Sequence, residues 1–228
     1  VPMVDVRTVG AGGGSIARIN PAGLLEVGPQ SSGADPGPIC YGKGGTDPTI
    51  SDANMLLGRL NPENLNSVTG GIGINEIASI FHAKLGMPLG VDARGAADAV
   101  IRIANAKMSG AIRMVSLSLG ADPRDFALFA FGGAGPLHAA AIARELGVPR
   151  VMIPARPGIT NALGCAVADL RHDFVQTINQ PLDTADVQLV HKVFAAQSSA
   201  GQSALKREAV TLREVVTEFS VDMQFLGQ

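Results

Sequence analysis

The 228-residue sequence has no tryptophan, one tyrosine and only two cysteines. Cys40 and Cys165 stand far apart with no CxxC spacing, so there is no disulfide framework to read, and the composition fits a reducing cytoplasm. The one pairing open to these thiols is with each other. The four histidines form no HxxxH or HExxH pattern, and no intrinsic zinc site is expected. No stretch approaches the roughly 20 apolar residues of a membrane span; even the apolar run 126–131 is short. The 18 basic and 20 acidic residues are dispersed, with a net charge of -2, which leaves no electrostatic footprint for nucleic acid. The amino end lacks an initiator methionine, a basic segment and a signal-type apolar stretch, and reads at once as a strand. Both ends are therefore expected to be cuts inside a larger protein.

With 46% apolar residues the chain can bury a sizeable core in one or two domains. Eleven of its 28 glycines fall in the first 45 residues, among Pro21, Pro29, Pro36 and Pro38. That mixture predicts short strands joined by tight turns, at 3–9, 15–19 and 24–27, then a long loop over 28–48. Long loops in compact domains are usually functional or mobile. A short helix follows through Leu57, capped by Ser51 or Asp52, and another runs from Asn75 through Lys84. The clearest helix starts at the cap Asp92, repeats Ala96, Ala97, Val100, Ile103, Ala104, Met108 and Ala111 at helical spacing, and stops at Gly120.

Beyond Asp125 strands are predicted at 126–131, 150–154, 173–178 and 215–225, and helices at 136–146, 160–170 and 186–207. This alternation predicts an α/β sheet covered by helices. The strand 126–131, apolar on both faces, is expected at its centre. The chain thus divides into a glycine-rich β segment (1–50), a helical insertion (51–121) and an α/β half with the start of a following segment (122–228).

Two glycine turns carry the strongest chemical signal. Gly132-Gly133-Ala134-Gly135 joins an apolar strand to a helix with Pro136 in its first turn, where free N–H groups can meet an anion or a ribosyl oxygen. The alternative is a tight turn that serves packing alone. Gly12-Gly13-Gly14-Ser15 lies between two strands and can wrap phosphate with its amides. No GK[ST] follows it, so it is not a Walker A loop, and a plain β-turn or bulge is the other reading. Asp35 and Cys40 sit in a rigid loop of glycines and prolines, as a candidate catalytic acid and thiol or as an Asx-turn residue and a small buried hydrophobe. Asp52 can hold magnesium through water or cap a helix. His138 stands at a ligand-facing helix start as a candidate general acid or phosphate contact, or as a half-buried helix residue.

Taken together, Val4-Asp5-Val6-Arg7-Thr8-Val9-Gly10-Ala11-Gly12-Gly13-Gly14-Ser15-Ile16-Ala17, the GADPGP-C-YG loop from Gly33, Asp52-Ala53-Asn54, Leu57-Gly58-Arg59-Leu60 and Phe131 to His138 resemble the hydantoinase A/5-oxoprolinase family. Ala162-Leu163-Gly164 and Ala168 to Asp173 extend the match over nearly the whole chain. The resemblance implies a fragment of a ribonuclease H-like, actin/hexokinase-type ATPase fold. Gly132, Gly133, Ala134 and Gly135 would be its adenosine loop, and Gly12 to Ser15 a glycine turn facing the cleft. It also implies ATP and Mg2+ as cofactors, a small cyclic amide as substrate and a hydantoinase B-type partner subunit or domain. Ketone carboxylation is the enzymatic alternative, and a non-catalytic nucleotide-binding or assembly module the other. The acidic phosphate motifs of the family are absent, so the chain alone is expected to be inactive. Unpaired strand edges should also make it self-associate.

Overall fold

The computed structural model describes residues 6–62, 72–208 and 210–225. They fall into two compact units, one spanning Val6–Val167 and the other beginning at Ala168.

The first unit opens with an antiparallel hairpin, β1 (Ser15–Ile19) and β2 (Leu25–Ser31), paired Ala17 to Val27 and Ile19 to Leu25. The turn forms because the Asn20 side chain accepts the N–H groups of Ala22 and Leu24 at 3.0 Å, with Gly23 at φ 79°. The register shifts between Ser15 and Ala17, where β2 carries the extra residues Gly28 and Pro29 in a bulge. On its other side β1 is bridged to the segment before α1 (Ile50–Leu56), through Ile16 with Thr49 and an Ala17 N–H to Pro48 carbonyl bond of 2.7 Å.

Helix α2 (Ile74–Phe81) runs on through a π-helical turn, His82–Gly86, into α3 (Met87–Leu89), which Gly90 ends at φ 68°. Asp92 caps the 26-residue α4 (Ala93–Ser118) by accepting the Gly95 N–H at 2.6 Å. Ala96, Ala97, Val100, Ile101 and Ala104 form its buried stripe, and the small side chains let α1, α2 and β2 approach. Ile39, Ile50, Met55, Ile77, Phe81 and Leu85 complete this core, each worth about 1.5–3 kcal/mol when fully buried.

A parallel pair follows: β3 (Ala127–Phe129) and β4 (Arg150–Met152), joined by α5 (Gly135–Leu146). Helix α6 (Thr160–Val167) ends the unit. Helix α5 packs on α4. In the second unit Asp186 caps the amphipathic α7 (Val187–Arg207), and Phe194 packs on Phe219 with ring centroids 4.6 Å apart.

The α/β class stands, built from two-stranded sheets, but several expected strands do not form. Residues 6–9 are not a strand, and 3–5 lie outside the described residues. The run 126–131 shortens to β3, which pairs with β4 alone among the described residues, so it is not the centre of a sheet. Phe129 is 46% and Phe131 40% exposed. Apolar residues on both faces signal a strand suited to burial, yet burial needs neighbours on both edges. Residues 173–178 and 215–225 likewise form no strand. The helix expected over 160–170 stops at Val167, and β2 takes up the first residues of the loop expected over 28–48. No helix among the described residues is long and apolar enough to cross a membrane.

Candidate functional site

The fold brings the two glycine turns together. A methyl group placed on Gly13 would sit 3.9 Å from the Ala134 Cβ and 2.7 Å from the Ser51 hydroxyl. The pinning of β1 to Pro48 and Thr49 is the cause, because it sets the start of α1 beside the first turn, where the Ser51 N–H donates to the Gly13 carbonyl at 2.8 Å. The first turn is closed by Ser15, whose hydroxyl accepts the Gly12 N–H at 2.9 Å. Ser32 donates its N–H to the Gly14 carbonyl. The second turn is held by the Gly132 N–H to the Pro157 carbonyl at 2.8 Å, with Gly132 at φ 83°.

The glycines of these turns divide by what surrounds them. Side chains at Gly13 and Gly14 would collide with Ser51 and Ser31, so these two glycines permit close packing. Gly12, Gly132, Gly133 and Gly135 face open space, which suits the approach of a ligand. Among the described residues, nothing accepts the N–H groups of Gly13, Gly14, Gly133, Ala134 or Gly135. Ala134 is the N-cap of α5 and makes no side-chain capping bond, so the positive end of that helix is uncovered. Two adjacent turns thus present free amide donors, a geometry suited to anions.

Asp52 is fully buried. One carboxylate oxygen accepts the Thr49 N–H at 2.9 Å, the Thr49 hydroxyl at 2.7 Å and the Ile39 N–H at 3.3 Å, while the other accepts the Cys40 N–H at 2.7 Å. This capping box does more than start α1, because it also clamps the loop that ends in the single helical turn Ile39–Tyr41. With four donors engaged and no solvent contact, the carboxylate is turned into the fold rather than toward a ligand. Burial, then the Asp52 charge, push the Cys40 thiol far above its ordinary range, the opposite of an activated nucleophile. Asp35 is exposed before cis Pro36, and its side chain makes no hydrogen bond or ion pair among the described residues.

His138 is buried in the first turns of α5, where its Nδ1–H donates to the Asn105 Oδ1 of α4 at 2.7 Å. Burial, then the nearby Arg59 guanidinium, lower its pKa below the ordinary imidazole range. The ring is therefore neutral and inward-facing, a brace behind the second glycine turn. A lowered folded-state pKa means that the unfolded chain binds more protons below about 6.5. Stability from this site is full above that pH and falls as pH drops toward the folded-state value. Thermal melts between pH 7.5 and 5.5 should show this loss in the wild type, and His138→Gln should flatten it, by at most about 1.4 kcal/mol per pH unit. Equal slopes in both proteins would remove His138 as the source.

Sequence patterns alone do not single out Asn105, and they mark Ser51 and Arg59 only as a cap candidate and a motif member, not as neighbours of the glycine turns. The one available signal is Asn105 with Ser109, two polar residues four apart on an otherwise alanine-rich helix. Among the described residues no group of three His, Cys, Asp or Glu side chains is arranged to hold a metal ion, and Asp47 is paired with Lys84 at 2.8 Å.

Comparison with known proteins places the chain in a family. The Hydantoinase/oxoprolinase family profile matches residues 1–174. The α subunit of caprolactamase from Pseudomonas jessenii is 39% identical over the whole chain, which covers 33% of that relative. The crystal structure of this ATP-dependent caprolactamase superposes with a TM-score of 0.72 at 36% identity, covering 93% of the chain and 31% of the larger one. Acetone carboxylase in its nucleotide-free structure gives a TM-score of 0.71 at 32% identity, covering 87% of the chain and 29% of the other. A 5-oxoprolinase of Dictyostelium discoideum is 36% identical over 85% of the chain and 18% of its own length. The chain spans a third or less of the length of these relatives. With three quarters of its residues under the family profile and near 40% identity along its whole length, the chain belongs to the hydantoinase/oxoprolinase family.

Proposed function

We propose that the chain is the part of an ATP-dependent cyclic-amide hydrolase that holds the nucleotide. The observation that carries this reading is the pair of adjacent glycine turns with free amide donors, Gly13 and Gly14 on one side and Gly133 to Gly135 on the other. ATP use by the similar caprolactamase and acetone carboxylase supports it. Gly12, Gly132, Gly133 and Gly135 leave room for the ligand against the backbone, and the uncovered start of α5 favours its negative charge. The wider frame we propose is an actin/hexokinase-type cleft completed by protein outside this chain, including the ligands for Mg2+ and a hydantoinase B-type partner.

The chemistry follows from amide resonance. A five-membered cyclic amide such as 5-oxoproline or a hydantoin is a poor electrophile, and bound ATP would supply the phosphoryl group that makes its carbonyl carbon open to water. The chain's residues contribute orientation and charge stabilisation, which dominate phosphoryl transfer. The acetone carboxylase similarity favours a second reading, activation of a ketone enolate or bicarbonate. The deciding measurement is ATP turnover by the complete enzyme with 5-oxoproline, hydantoin and acetophenone side by side. Turnover with a cyclic amide is expected, turnover with the ketone and bicarbonate alone would move the assignment to carboxylation, and none would leave a binding module.

Phe126, Phe129, Phe131, Met152 and Ile153 are exposed around the β3–β4 pair, whose outer edges are open. We propose that other parts of the larger assembly cover this surface, and that the chain alone self-associates through it. Light scattering across micromolar concentrations should give a mass that rises above one chain; a strict monomer would refute the self-association.

A further inference from the structure

Resting on the nucleotide reading above, we infer that Arg102 and Asp98 of α4 form the nucleoside-binding wall of the same site. Helices α4 and α5 pack against each other. Asn105 meets His138, and eight residues further along α4 the Arg113 guanidinium reaches the Glu145 carbonyl at 3.2 Å and its carboxylate at 3.6 Å. The two helices therefore run side by side in the same direction. At about 1.5 Å per residue, Arg102 lies about 4.5 Å before Asn105 and level with Gly135, and Asp98 lies about 10.5 Å before it, beyond the start of α5.

Asp98, Arg102, Asn105 and Ser109 share one stripe of α4 at helical spacing. Where α5 covers this stripe, Asn105 and Ser109 are buried; where α5 has not yet begun, Asp98 and Arg102 are exposed. The stripe thus continues past the start of α5, whose first turn holds Gly135 and follows Gly133, and a side chain at either glycine would meet no atom within 4 Å. Neither Arg102 nor Asp98 makes an ion pair or side-chain hydrogen bond among the described residues. Their charges cancel, so the wall does not favour a triphosphate. A guanidinium plane and a carboxylate one turn apart instead suit a purine nucleoside, with Arg102 stacked on the base and Asp98 accepting from its hydroxyl or amino donors. The phosphates then fall to the free amides of the glycine turns.

The test is photolabelling of the chain with millimolar 8-azido-ATP, with ATP, adenosine and tripolyphosphate as competitors, on wild type, Arg102→Ala, Asp98→Asn and Gly133→Val. Label is expected in the tryptic peptides 95–102 or 103–107 and should be displaced by ATP and by adenosine. Arg102→Ala should weaken ATP and adenosine by the same factor, about 3- to 30-fold, and leave tripolyphosphate competition unchanged. Asp98→Asn should weaken adenosine in the same manner. ATP-protected, Gly133-sensitive label confined to the second glycine turn would overturn the wall while keeping the turn as a nucleotide site. Loss of tripolyphosphate competition in Arg102→Ala with adenosine unaffected would make Arg102 a phosphate contact and overturn the assignment. Labelling that neither ATP nor Gly133→Val reduces would remove the nucleotide reading itself, and the wall with it.

Discussion

Asp52→Ala is expected to lower the stability of the chain by about 3–5 kcal/mol, because it strands four buried donors at once. For a chain of this size that is a fall in Tm of roughly 10 °C. The donors are the N–H groups of Ile39, Cys40 and Thr49 and the Thr49 hydroxyl, all within 3.3 Å of the carboxylate. Two elements loosen together: α1 loses its N-terminal cap, and the loop before it loses its clamp. Asp52→Asn keeps an acceptor oxygen but turns an NH2 group toward donors, so it should fall between the two. Differential scanning calorimetry decides the matter. An alanine variant that melts with the wild type would return Asp52 to the list of groups free for catalysis.

Gly133→Val is expected to weaken adenine nucleotide binding by the complete enzyme at least about 10-fold while leaving its melting temperature unchanged. The two halves of this expectation come from one fact, that nothing lies within 4 Å of the place a side chain would occupy. A Cβ there has open space around it, so a valine side chain is directed into the space of the ligand. Gly132 is a poorer probe, since its φ of 83° strains any other residue. Gly13 is poorer still, because a side chain would strike Ser51 and disturb α1. Isothermal titration with ATP, paired with a melt, separates these cases; unchanged affinity would remove the turn from the site. The 228 residues alone are expected to turn over no ATP, since among the described residues no His, Cys, Asp or Glu cluster is arranged to hold a metal ion. Magnesium-dependent turnover by the purified chain would contradict that.

Local chemistry was what the sequence made legible. Asp92 as a cap, Gly120 just past the end of α4, and the alanine stripe of α4 all follow from patterns a few residues long. The two glycine turns were visible for the same reason, but their adjacency was not, because it depends on the bridge from Ile16 to Thr49. His138 could be singled out, yet its partner Asn105 lies 33 residues away, and no pattern announces such a pair. Asp52 read equally well as a cap or as a magnesium ligand, and only the approach of Ile39 and Cys40 decides which bonds it makes. The strand expectation at 126–131 failed because a run apolar on both faces does not by itself supply a partner on each edge. Phe129 and Phe131 have the side chains of a central strand and the neighbours of an edge.

Burial is unevenly spread along the first unit, and this bears on how tightly it can grip a ligand. Every member of the main core lies between Ala17 and Ala104, so the first glycine turn rests on the part of the chain that opens least often. The second turn rests on α5 and β3, where Ala130, Ala139, Ile142, Ala143 and Leu146 are the buried apolar residues and large ones nearby face solvent. Segments with so few buried contacts open locally with small free energies. A nucleotide bridging the two turns must therefore quieten the looser one before it is fully held, and that lost motion is subtracted from its affinity. A protein surface that already holds β3 and α5 still would remove the deficit in advance. Assembly would then tighten nucleotide binding without touching the nucleotide.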